Sequence, residues 1–252
     1  MPTTTPPGDG APQPGPAPHA GPPGHAGRDL LKSLLRERNQ SPARVADIDR
    51  QIVETFQRRA AVLALDLCGF SRLTQRHGIL FYLSMIVQME EAARPAIVNN
   101  NGSIVKQEAD NLFAVFRTPA DALEAALDIF IAFNAVNSVV PTDRDLYASV
   151  GIGYGDLLVI ADNGGRVEDV FGMEMNGACR LGEDTATKGE ILLTPAAGDA
   201  LPAGTYLLEP VNRQHHGAPV EGYRFVKRLI EADEPAPQGT PQDTPQGTPQ
   251  GT

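Results

Sequence analysis

The chain has 252 residues, of which 21 are Lys or Arg and 31 are Asp or Glu, for a formal net charge of −10. That acidic balance argues against sequence-independent nucleic-acid binding, which needs basic surface. No apolar run reaches the ~18–20 residues of a membrane-spanning helix, and two cysteines, Cys68 and Cys179, do not make a disulfide framework.

Residues 1–27 are rich in Pro, Gly and Ala and carry almost no large apolar side chains. Such a segment cannot bury enough surface to offset its ordering entropy, so it reads as a disordered tail. A helical segment follows over 28–57. Leu30, Leu31, Leu34 and Leu35 form one stripe, Ser41 and Pro42 read as an N-cap and first helical residue, and Val45, Ile48, Ile52 and Phe56 recur at helical spacing. The segment suits either a brace on the domain's own core or a dimer-forming, signal-transmitting element.

From residue 58 to 228 the pattern is that of a folded domain. Val62 to Asp66 close a buried strand (61–66) on a carboxylate, Gly69 makes a turn, and a helix is expected over 71–99, starting at Ser71. A hairpin over 103–116 places Ala109, Asp110 and Asn111 at its turn. Thr118 and Pro119 start the next helix, with Ala122, Leu123, Ala126, Leu127, Phe130 and Phe133 on its apolar face. A strand over 146–154, a Gly/Asp-rich excursion over 161–168 and a helix over 173–185 come next. Short strands over 190–194, 205–210 and 222–227 complete the order. The core order βαββαβ predicts an α+β fold, a ferredoxin-like core with additional C-terminal strands. Residues 229–252 repeat a TPQG-like unit and read as a second disordered tail. The N-terminus lacks a charged n-region with an apolar core, which points to a cytoplasmic protein with both thiols reduced.

The chemistry begins with the acids. Asp66 and Asp110 each lie at a strand end, and neighbouring strands can bring them together. Paired carboxylates repel, a divalent cation relieves the repulsion, and oxygen ligands favour Mg²⁺ or Mn²⁺. The turn and helix start at Gly69, Phe70 and Ser71 suit phosphate oxygens, because free backbone N–H groups gather at a helix N-terminus. A third group, EDVFGMEMNGACR, holds Asp169, Asn176 and Arg180, with Asn176 and Arg180 four apart on one helix face.

Together these motifs resemble the class III nucleotide cyclases (adenylyl and guanylyl cyclases) over about residues 58–227. Asp66, Leu67, Cys68, Gly69, Phe70 and Ser71 fit the family's Asp-x-x-Gly-Phe-Ser/Thr pattern. Lys106, Asp110 and the strand Leu112 to Phe116 fit a second stretch. Asp169, Phe171, Gly172, Asn176 and Arg180 fit a third without a gap. The resemblance implies two Mg²⁺ or Mn²⁺ ions per site on Asp66, Asp110 and the Leu67 carbonyl, with Asn176 orienting the ribose and Arg180 stabilising charge on the α-phosphoryl group. Lys106 and Asp169 would read the base. A lysine donates to adenine N1 and an aspartate accepts from the 6-amino group, so this pair implies an adenylyl cyclase acting on ATP, where guanylyl cyclases use a Glu/Cys type of pair. The family's sites form between two catalytic domains, which implies a homodimer with composite sites. The alternatives are a guanylyl cyclase and a catalytically silent nucleotide-binding dimerisation module. A diguanylate cyclase lacks its Gly-Gly-Asp/Glu-Glu-Phe turn here. Three departures stand out: Ala109 replaces the usual glycine before the second metal aspartate, Glu108 sits beside it, and 161–168 is short for a dimerisation arm. The family's basic contact to the triphosphate would come from the segment Arg213, Gln214, His215, His216, Gly217.

Overall fold

The eleven residues of β1 (Gln57–Leu67) form the axis of the molecule. In the computed structural model, which describes residues 27–215 and 218–229, β1 is antiparallel to β3 (Asn111–Phe116) on one side and to β4 (Ala148–Ala161) on the other. The tails expected over 1–27 and 229–252 lie almost wholly outside the described residues, as do His216 and Gly217. β2 (Ser103–Glu108) pairs with β3, and the sheet runs β2-β3-β1-β4-β6-β8-β7, with β6 Ile191–Leu193, β7 Tyr206–His215 and β8 Ala218–Arg228. The first four strands in this order are the ferredoxin-like core, and the last three are the C-terminal additions.

Strand alternation sorts the side chains into two layers. Ala61, Leu63, Leu65 and Leu67 face a large core with α4 (Ile79–Asn99) and α5 (Pro119–Asn137), including Met85, Met89, Ile97, Leu123, Ile129 and Phe133. Ala60, Val62 and Ala64 face the other way, toward Met175 and Ala178 of α6 (Met173–Cys179). α6 lies close to the sheet because β4 carries glycine there. A Cβ on Gly151 would come within 1.9 Å of the Ala178 carbonyl oxygen. Thr118 caps α5 as expected, its hydroxyl accepting the Asp121 N–H at 3.1 Å.

The segment before β1 folds as two helices, α1 (Gly27–Gln40) and α2 (Val45–Phe56), joined through a 3₁₀ turn at Pro42–Arg44. Leu31, Leu34, Ile48, Ile52 and Phe56 pack with Leu158 and Ile160 of β4, so the segment does act as a brace on this domain. Ser41 makes no side-chain capping bond, contrary to its expected role, because the 3₁₀ turn moves the start of α2 to Val45.

Other differences have local causes. The single helix expected over 71–99 is two, α3 (Phe70–His77) and α4, broken at Gly78, whose φ of 84° no right-handed helix accommodates. β4 runs seven residues past 154 because Gly155 and Asp156 pair with Ala60 and Arg59 of the long β1. Its extension forms a hairpin with β5 (Val167–Phe171), so the 161–168 excursion is largely a hairpin turn. Beyond α6 the helix widens into a π turn at Arg180–Thr185. A short α7 (Pro195–Asp199) follows β6, capped by the Thr194 hydroxyl. Among the described residues no helix is long and apolar enough to cross a membrane.

Candidate functional site

Leu65 and Leu67 point into the α4/α5 core, so Asp66 between them projects to the opposite face, toward the π turn after α6. Asp110 reaches the same end of the sheet through the β2–β3 turn. Its backbone carbonyl accepts the Leu67 N–H at 3.3 Å, and Asn111 is the direct cross-strand partner of Asp66. Ala109 carries this turn at φ 54°, in the left-handed region where glycine costs least. The family glycine is missing, yet the turn keeps the conformation a glycine would serve.

The electrostatics of this end are those of crowded acids. Burial, then the charges of Asp110, Glu183 and Asp184, push Asp66 up to about 7. Burial also raises Glu183, with Asp184, Asp110 and Glu108 adding to it against a hydrogen bond from Cys179. The side-chain oxygen Oδ1 of Asn111 is buried with no hydrogen-bond partner. Two carboxylates that repel one another and an orphaned amide oxygen beside them form a hard-oxygen donor set. That set fits a divalent cation of the Mg²⁺ or Mn²⁺ type. Among the described residues no group of three or more His, Cys, Asp or Glu is arranged to hold a metal. Neutral oxygens and water would therefore complete any coordination shell here.

α3 starts directly after this strand end, with Gly69 at φ 83° as its N-cap. As a glycine, that N-cap has no side chain to bond the first N–H groups of the helix.

The pair expected to read a base lies on the same layer of the sheet. Lys106 Nζ is 3.3 Å from Asp169 Oδ1 and 2.9 Å from Glu108 Oε1, and it lies over the Phe113 ring, 5.7 Å from its centroid. Burial lowers the Lys106 ammonium, but hydrogen bonds and charge from Glu108 and Asp169 outweigh it and hold the group above the ordinary lysine range. The β2 and β5 strands thus bring together two residues that stand 63 positions apart in the chain.

Asn176 is exposed on α6, and Arg180 is half-buried where α6 passes into the π turn. Glu174 anchors this helix: its Oε2 accepts the Tyr154 N–H at 3.1 Å and the Thr194 hydroxyl at 2.6 Å. Among the described residues the Arg180 guanidinium has no ion-pair partner, so it is not spent on Asp66 or Asp110 of its own chain. Arg213, one of the residues expected near a triphosphate, is instead bound by both nitrogens to Glu190 at 2.8 Å and donates to the Thr185 carbonyl at 2.7 Å. Both thiols are half-buried and free, and burial pushes Cys179 up to about 12.

One contact had no signal in the sequence. Arg28, in the first turn of α1, donates to Asp169 Oδ2 at 3.3 Å and to the Glu168 carbonyl at 3.0 Å. A single arginine 141 positions before its partner carries no motif; only the packing of α1 on β4 could reveal it. Glu183 and Asp184 were likewise missed as members of the acidic cluster.

No protein-family model matches the chain. A putative adenylate cyclase 3 of Rhizobium meliloti is 30% identical over 142 residues, which span 56% of this chain and 23% of that protein. An adenylate cyclase of Streptomyces coelicolor is 29% identical over 148 residues, 59% of this chain and 35% of that one. The chain therefore spans less than half the length of these curated relatives. Among solved structures, an adenylate/guanylate cyclase/hydrolase from Silicibacter pomeroyi superposes with a TM-score of 0.53 at 26% identity, covering 68% of this chain and 98% of that one. The catalytic core of a rhodopsin-guanylyl cyclase with converted specificity, in complex with ATPαS, gives a TM-score of 0.56 at 15% identity, covering 68% and 99%; at that identity it speaks for the fold alone. In fold, the chain is similar to class III nucleotide cyclase catalytic domains, and the curated relatives it resembles include proteins named as adenylate cyclases.

Proposed function

We propose that the chain is an adenylyl cyclase, converting ATP to 3′,5′-cyclic AMP and pyrophosphate at composite sites between two copies. The observation that carries this reading is the Lys106–Asp169 pair. The ammonium has three N–H donors, of which Glu108 and Asp169 take two. The third suits adenine N1, and Asp169 suits the 6-amino group. Guanine reverses donor and acceptor at both positions, leaving unpaired groups at about 1–3 kcal/mol each.

In this reading Asp66, Asp110 and the Leu67 carbonyl hold two divalent cations, Mg²⁺ or Mn²⁺, with Asn111 beside them. When bound, the cations supply charge neutralisation for the triphosphate and a lowered pKa for the ribose 3′-hydroxyl. Gly69, Phe70 and Ser71 offer backbone N–H groups to the β and γ phosphates. Asn176 orients the ribose. The 3′-oxygen attacks the α-phosphorus as its proton passes to water, the bond from the α-phosphorus to the oxygen bridging to the β-phosphate breaks, and pyrophosphate departs with that electron pair. Arg180 balances charge on the α-phosphoryl oxygens as they cross the transition state.

The composite arrangement draws support from apolar surface flanking each half-site. Ile79, Leu80, Leu83 and Val87 are exposed on α4, just beyond the strand end of Asp66. Phe171 and Met173 are exposed between Asp169 and Asn176. Two such patches on one chain can be covered together by a two-fold pair.

The test is cyclisation by the purified chain with Mn²⁺ and either ATP or GTP. Cyclic AMP from ATP is expected, with the product lost in Asp110→Ala. Faster cyclisation of GTP would overturn the adenine reading, and an unchanged Asp110→Ala trace would overturn the cyclase reading.

A further inference from the structure

We propose that Arg28 is a positioning residue for the purine site, and that through Asp169 it sets the preference for adenine over guanine. The inference rests on the adenine reading of Lys106 and Asp169. An ionised carboxylate has about four lone-pair positions. On Asp169, Oδ1 already accepts from Lys106 at 3.3 Å and from the Val170 N–H at 3.0 Å. Oδ2 accepts from Arg28 at 3.3 Å. One acceptor position on Oδ2 remains, as one donor remains on Lys106, and this single donor and single acceptor match the N1 and 6-amino edge of adenine.

Arg28 keeps that match in place. An aspartate carboxyl turns easily about its last side-chain bond. Arg28 NH2 spans the Glu168 carbonyl and Asp169 Oδ2, tying the carboxylate plane to its own backbone. Without it, Asp169 can turn so that both oxygens face Lys106. The spare ammonium donor would then pair with the spare carboxylate acceptor, and neither would be left for a base. The Asp169 side chain is only 14% exposed, so water would not readily separate them.

The position of Arg28 is fixed by packing rather than by the ion pair itself. Leu31 and Leu34 of α1 are buried with Ile48, Ile52, Phe56 and Ile160. Ile160 is the cross-strand partner of Asp169, so docking on Ile160 delivers the start of α1 to Asp169. Gly27 passes so close to β4 that an added Cβ would lie 2.2 Å from the Ala161 carbonyl oxygen. Arg28 itself is 48% exposed, and a half-exposed ion pair adds little to stability. Its effect should therefore appear in recognition.

The experiment compares wild type, Arg28→Ala and Arg28→Lys in the full chain with Mn²⁺. For Arg28→Ala, KM for ATP should rise about tenfold with kcat within about twofold, and the ATP/GTP ratio of kcat/KM should fall about tenfold. Arg28→Lys, which keeps the charge but not the fork, should recover part of both, and the melting temperature of each variant should stay within about 2 °C of wild type. An unchanged KM and ratio would overturn the proposal, and so would a lower KM for ATP, which would make Arg28 a cover rather than a support. If wild type cyclises neither nucleotide, the cyclase reading fails by itself. Competition of ATP and GTP for a bound fluorescent ATP analogue then decides: loss of ATP preference in Arg28→Ala sustains the role of Arg28, and equal preference ends it. Absence of any nucleotide binding by wild type overturns both.

Discussion

Asp66 shows how a candidate metal ligand works against the fold that holds it. Unfolded, an aspartate titrates near 3.9; folded, burial and the neighbouring acids push this one up to about 7. Between those values the folded chain holds a proton that the unfolded chain has released. Stability from this group is thus fully present below about pH 4 and is lost as pH rises through about 7. Above that, Asp66 is charged beside Asp110. Asp66→Asn should raise the melting temperature of the metal-free protein at pH 8 by roughly 3–6 °C, the equivalent of about 1–2 kcal/mol after solvent screening. The gain should vanish near pH 4, and cyclisation should be abolished. Added Mn²⁺ should stabilise wild type at pH 8 and not the variant; melts at both pH values with and without metal read all of this. Ala109, in the adjoining turn, offers a smaller case. Its φ of 54° costs an alanine about 1 kcal/mol that a glycine avoids. Ala109→Gly should therefore raise the denaturant midpoint by a corresponding amount without a change of slope.

Elements read well where one force set them and badly where two competed. β1, the β2–β3 hairpin and α5 follow from apolar pattern and capping alone, and so does the placement of Asp66, Lys106 and Asp110 on them. The break at Gly78 was visible as a glycine, yet the apolar residues on both sides favoured one continuous helix. β5 was hidden because VEDVF alternates weakly and mixes two acids into an outlying strand; only the length of β4 makes it a partner. The start of α7 at Thr194 and Pro195 carries a cap signal, but its five residues are too few to show a helical period. Arg213 shows the limit of motif position: it lies where a phosphate contact was expected but fastens β7 to the π turn after Arg180. That contact has its own pH signature. The hydrogen bonds from Arg213, with those at Thr187, hold Glu190 down at about 2 despite partial burial. Its stabilisation is present above the unfolded value near 4.3 and is lost as pH falls toward about 2. Glu190→Gln should cost about 1.5–3 kcal/mol at pH 7 and nothing near pH 2, measured by urea unfolding at the two pH values.

At the scale of the whole molecule, the proposed chemistry pairs the acids of one copy with the arginine of another. Asp66 and Asp110 crowd one end of the sheet, while Arg180, at the start of the π turn, forms no ion pair among the described residues. Two copies related by a two-fold axis would each lend an acidic half-site to the other's Arg180, giving two equal sites. Asp66→Ala and Arg180→Ala homodimers would each have both sites broken, for different reasons. In a mixed dimer, one site inherits both defects. The other takes its acids from the Arg180→Ala subunit and its arginine from the Asp66→Ala subunit, and is intact. Equal mixing at random makes about half the dimers mixed, with one good site of two, so activity should return to about a quarter of wild type. The measurement is cyclic AMP formation by each variant alone, then by the refolded or co-expressed mixture, with specific activity followed across protein concentration. Activity per subunit should fall on dilution as dimers dissociate. A mixture no more active than the sum of its parts would mean that each chain completes its own site, and the composite arrangement would have to be abandoned even if the chemistry stood.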